Sequence, residues 1–131
     1  MSGPANPFGY PEPVWKLFQE TPRAGPLAGE GVVSAEAATN ASTGRIRLQV
    51  KMAASRIADA RFQAYGCPTT IAVGAYLAGA VVGRDAAGLP GLDAKSIREA
   101  LEIPEDRTHV ALLGEDAVKA LLKQFRDTGS R

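Results

Sequence analysis

Cysteine and histidine occur once each in this sequence of 131 residues, and tryptophan also occurs once. The single cysteine excludes an intrachain disulfide framework, a zinc ribbon and an all-cysteine cluster cage within one chain. The single histidine excludes three-histidine and two-histidine-one-carboxylate metal triads. Charge of one sign is missing too. Fifteen basic residues stand against 14 acidic ones, a net charge of +1, which gives no reason to expect nucleic acid or an anionic membrane as partner. No apolar stretch approaches the ~18 residues of a membrane span. The most apolar run, Ile71 to Val82, is broken by Gly74 and Gly79. The N-terminus has no basic segment followed by an apolar one, so no secretory signal is expected and the expected location is cytoplasmic.

What is present describes an ordinary globular protein, with 45% apolar and 22% charged residues. The length suits one domain with a real core. Residues 1–9 are rich in Pro and Gly and are expected to be a tail, with a single domain over 10–127 and a short tail over 128–131. Val14, Leu17 and Phe18 at i, i+3, i+4 predict a short helix, which Thr21-Pro22 ends. Arg45 to Met52 alternates polar and apolar, predicting a strand with Ile46, Leu48, Val50 and Met52 inward. Arg56 to Tyr65 predicts its hairpin partner, with Ala58, Ala60, Phe62 and Ala64 inward. Val32-Val33-Ser34 is a candidate edge strand. The polar strand faces place one side of this sheet in water.

After Gly66 the period changes. Pro68 to Val82 predicts a largely buried helix, Asp85 to Gly91 a loop, and Asp93 to Leu101 a helix capped by Asp93. Glu105 to Thr108 reads as a connector. Glu115 to Phe125 predicts a last helix whose acids sit at its positive end. The fold class is α+β: a small antiparallel sheet of about three strands with helices packed on one face.

Cys67 falls between the second hairpin strand and the first long helix, with Pro68 at the first helical position. A thiol there faces unsatisfied N–H groups and the positive end of the helix dipole, which favours the thiolate. A buried structural cysteine is the competing reading. His109 near a helix start is more often a hydrogen-bonded surface residue than a ligand. Arg45, Arg47 and Lys51 read as a solvated basic face, because no Gly-rich anion loop accompanies them. Gly83 to Gly88 lacks the spacing of a dinucleotide-binding fingerprint.

The sequence as a whole resembles the IscU/NifU N-terminal type of iron–sulfur cluster assembly scaffold. Leu48-Gln49-Val50-Lys51, the run Ile57 to Cys67 ending in Tyr-Gly-Cys, and the segment His109 to Ala120 carry the likeness. Tyr10 to Arg23 resembles the family's opening helix and Asn-Pro-Arg turn, with Thr21 in place of Asn. The resemblance implies a site of three cysteines, an aspartate and a histidine. Here Ser42-Thr43-Gly44 stands where the family has Cys-Gly-Asp, so Ser42 and Gly44 replace two ligand positions. Val110 replaces the last cysteine. Cys67 and His109 are retained, an incomplete set for metal. Ile103-Pro104-Glu105-Asp106-Arg107 replaces the Leu-Pro-Pro-Val-Lys chaperone motif.

The resemblance thus implies no firmly bound cofactor, and at most a transient iron–sulfur cluster, iron or zinc. A structural zinc takes about four protein ligands, and a two-iron cluster likewise. A homodimer would pool two Cys67 and two His109; a monomer would not suffice. The expected role is that of a non-enzymatic scaffold or carrier, with Cys67 as sulfur acceptor or transient iron ligand alongside His109. A cysteine desulfurase and an apo-protein client are the implied partners. The alternative is a binding or regulatory module that keeps the fold without cluster assembly.

Overall fold

The computed structural model describes residues 9–39 and 44–129. The expected N-terminal tail lies almost wholly outside the described residues, as do residues 130 and 131 of the C-terminal one. Helix α1, Glu12–Glu20, leads to strands β1, Val32–Ala38, β2, Arg45–Ala53, and β3, Arg56–Tyr65. Helices α2, Pro68–Val81, α3, Ala94–Leu101, and α4, Thr108–Gly129, complete the chain. The strands form one antiparallel sheet in the order β1-β2-β3. Helices α2 and α4 cover its inner face, α1 packs on α2, and α3 packs on α4.

The alternation in β2 is realised as expected. Ile46, Leu48 and Val50 are fully buried between the sheet and the helices. In β3 it holds from Ala60 onward and fails before it. Lys51 pairs with Asp59, but Met52 pairs with Ile57, so Ala58 has no partner. That extra residue is a β-bulge, and it reverses which face each side chain takes. Ile57 is therefore buried and Ala58, expected inward, is exposed. The edge strand is longer than Val32-Val33-Ser34, because Ala35 and Ala37 continue the inward row against Leu48 and Ile46.

The outer face is only partly wet. Arg45, Arg47 and Gln63 are exposed, whereas Gln49 is buried, donating to Ser34 Oγ at 3.0 Å and accepting from the Leu27 N–H at 3.0 Å. The same loop shields the sheet edge. Ala24 bridges Phe62 in parallel, with hydrogen bonds of 2.9 and 3.0 Å, leaving less of β3 open to another strand.

Three helical boundaries differ from expectation. Ala86–Gly91 is a 3₁₀-helix rather than a loop, capped by Asp85 accepting from the Gly88 N–H. Glu105–Arg107 forms one 3₁₀ turn that runs into α4 at Thr108. Glu115 and Asp116 therefore lie two turns inside α4 and not at its positive end. Glu115 instead accepts from the Ala94 N–H at 3.1 Å, capping the neighbouring α3, and pairs with Lys119. Gly114 lies within α4 because the helices meet there: an added Cβ would stand 2.6 Å from Val73 Cγ1.

Candidate functional site

The junction between β3 and α2 sets the position of Cys67. Gly66 has φ +138°, and a Cβ there would lie 3.1 Å from Thr70 Oγ1. Glycine therefore supplies both the turn and the space beside the thiol. Cys67 is the N-cap residue of α2, with extended backbone and Pro68 at the first helical position. Its side chain closes no cap hydrogen bond. The Thr69 and Thr70 N–H groups at the helix start are directed toward the sulfur and favour its thiolate.

Two side chains reach the thiol. Thr70, one turn along α2, places Oγ1 at 3.5 Å from Sγ. Arg107, in the turn before α4, points Nη1 at the sulfur from 3.6 Å. The guanidinium also lies over the Tyr10 ring, whose centroid is 5.4 Å from Cζ. Tyr10 itself stacks on Trp15, which meets Phe18 at 5.4 Å, so α1 fixes the far side of the site. Burial of Cys67 works against the thiolate. The Thr70 hydroxyl, the Thr70 and Thr69 N–H groups and the Arg107 charge together outweigh it, and the thiol pKa lies below its ordinary value.

A cavity of about 250 Å³ opens on this sulfur. Its lining includes Gly44, Cys67, Thr70, Arg107, His109 and Val110. The fold therefore brings Cys67 and His109, far apart in sequence, to one recess. It brings Gly44 and Val110 there as well, two positions where the resembling family carries ligands. Gly44 and Val110 are buried and offer no side-chain donor, while His109 is exposed at the recess. Ser42 lies outside the described residues. Among the described residues, no three Cys, His, Asp or Glu side chains gather closely enough to hold a metal ion.

Arg107 is the site residue that local sequence does not reveal. It belongs to the segment Ile103 to Arg107, where Ile103 is buried in the core and Glu105 and Asp106 face solvent. Only the tertiary fold turns Arg107 onto a thiol 40 residues away. Thr70 was accessible to simple reasoning, since i and i+3 share a helix face.

Fold and cavity together define a class: a small α+β domain with one activated thiol at a helix N-terminus and an imidazole in the same recess. The chain belongs to the NifU-like N terminal domain family, whose pattern it matches over residues 9–130. It is similar to the iron–sulfur cluster assembly scaffold protein IscU of Escherichia coli strain K12, 32% identical over 75% of this chain and 74% of that protein. It is also similar to the mitochondrial iron sulfur cluster assembly protein 1 of Eremothecium gossypii, 31% identical over 75% of this chain and 62% of the relative. The chain spans between half and two thirds of the length of the first curated relatives it matches. Among solved structures, a NifU-like N-terminal domain from Brucella abortus superposes with a TM-score of 0.70 at 19% identity, covering 88% of this chain and 93% of that one. That likeness bears on the fold alone. Among the described residues no helix is long and apolar enough to cross a membrane.

Proposed function

We propose that this chain serves iron–sulfur cluster assembly as a scaffold-like sulfur carrier, with Cys67 as the sulfur-accepting thiol. The observation that carries this reading is the Cys67 environment: a lowered thiol pKa, a guanidinium at 3.6 Å and an open recess before the sulfur. A thiolate accepts sulfur alone, whereas holding a cluster takes about four ligands. Cys67 attacks the outer sulfur of a donor persulfide, the donor leaves as its thiolate, and Cys67 carries the sulfur away. His109, in the same recess, completes a transient contact to iron. The chain acts as a carrier and not as an enzyme. Its partners on this reading are a cysteine desulfurase and an apo-protein client. A lone thiol with no disulfide partner in the chain suits a reducing compartment, and we place its action in the cytoplasm.

Incubation with a cysteine desulfurase and cysteine, followed by mass spectrometry, tests the reading. Cys67 is expected to gain one sulfur atom, and Cys67→Ala to gain none. An unmodified Cys67 would overturn it and leave the non-catalytic binding module in its place. Iron and sulfide analysis of the same samples is expected to find no stoichiometric cluster on the monomer.

A further inference from the structure

We infer that the Cys67 recess takes a small anionic sulfane-sulfur donor of the thiosulfate class, which loads Cys67 directly. This rests on Cys67 being a sulfur acceptor and goes further by naming the form in which sulfur arrives.

Charge carries the inference. Among the described residues that line the recess there is no carboxylate. Beside the apolar Val110 and Leu113, the polar groups of its lining include the Arg107 guanidinium, the Thr70 hydroxyl, the His109 imidazole and the start of α2. Every one of these donates hydrogen bonds or favours negative charge. An oxoanion would meet a planar donor fork already oriented by the Tyr10 ring.

Size and reach agree with charge. The recess of about 250 Å³ falls below the ~300–1,000 Å³ of pockets for drug-sized ligands and suits an ion of a few heavy atoms. Arg107 Nη1 stands 3.6 Å from Cys67 Sγ. An anion whose oxygens bind the guanidinium therefore presents an attached sulfur to the thiolate. The thiolate attacks the outer sulfur of thiosulfate, a new S–S bond forms, and the S–S bond of thiosulfate breaks. Sulfite leaves with the bonding electron pair, and Cys67 is left as an anionic persulfide. Atoms and charge balance, and no external oxidant or reductant is needed. Arg107 offsets the repulsion between two approaching anions and holds the departing sulfite.

The test incubates the full chain with sodium thiosulfate alone and, in a parallel arm, with a cysteine desulfurase and cysteine. Intact mass reports sulfur on Cys67, and released sulfite is measured in the first arm. Persulfide with matching sulfite is the expected result. Arg107→Ala is expected to slow thiosulfate loading about tenfold or more, and to slow alkylation by neutral iodoacetamide far less. Arg107→Lys should restore part of the loss. Circular dichroism establishes that both variants are folded. Loading by the desulfurase but not by thiosulfate overturns this inference and leaves the sulfur-acceptor reading standing. Loading in neither arm overturns both. Equal slowing of thiosulfate and iodoacetamide in Arg107→Ala also overturns the inference, because Arg107 would then act on the thiolate and not on the anion.

Discussion

Helices α2 and α3 begin in the same way and to opposite ends. Each has an extended N-cap residue whose side chain favours negative charge, Cys67 in one and Asp93 in the other. Asp93 closes its cap, accepting from the Ser96 N–H at 2.9 Å, and this bond holds its carboxyl below the ordinary aspartate range. Cys67 closes none. Its sulfur is larger and a weaker acceptor, and it sits in front of a recess that also holds Arg107 and His109. One helix start is committed to stability. At the other, the first N–H groups favour a thiolate that stays available as a nucleophile.

The strongest way to break this comparison is to make the two ends alike. Cys67→Asp should abolish sulfur loading completely while raising stability by about 1 kcal/mol, read by urea denaturation. A variant that loses both function and stability would show that Cys67 is not a strained or under-used cap. A smaller change sharpens the contrast at the sulfur itself. Thr70→Val removes the hydroxyl at 3.5 Å from Sγ, so the pH midpoint of iodoacetamide alkylation should move up toward an ordinary thiol. Wild type should react with a midpoint below that value. An unchanged midpoint would assign the thiolate preference to the backbone and Arg107 alone.

The smallest effect belongs to the other end. Asp93→Ala should lower the melting temperature by a few degrees at neutral pH and leave sulfur loading untouched. The sign of its pH dependence follows from the lowered carboxyl pKa. A carboxylate favoured by folding stabilises above its unfolded pKa, and that contribution is lost as the pH falls through the folded value. Wild type and Asp93→Ala should therefore converge in stability only once the pH has fallen through the lowered folded value, below the ordinary aspartate range.

Most of the fold was legible because residue type and position agreed. Polar and apolar residues alternate through β2, Pro68 marks a helix start, and Asp93 is a strong cap. The failures fall where residue identity is silent. Ile57 and Ala58 are both apolar, so either could face inward, and only pairing with β2 decides it. Gly114 looks like a boundary, yet it lies within α4 because Val73 crosses there and leaves no room for a side chain. The site divides in the same way. Cys67 carried a local signal, and His109 was recognisable through resemblance. Arg107 carried neither, since its role exists only once α1, α2 and the turn before α4 have converged.

That convergence has a consequence for the order in which the protein is made. Cys67 leaves the ribosome well before Arg107, and Tyr10 leaves before both. The thiol and the aromatic ring are thus synthesised without the cation that joins them. A growing or truncated chain carries the cysteine, but not its charged neighbour or the recess wall from α4. Full reactivity of Cys67 is therefore a late property, acquired only when the C-terminal segment has folded back onto the start of the domain.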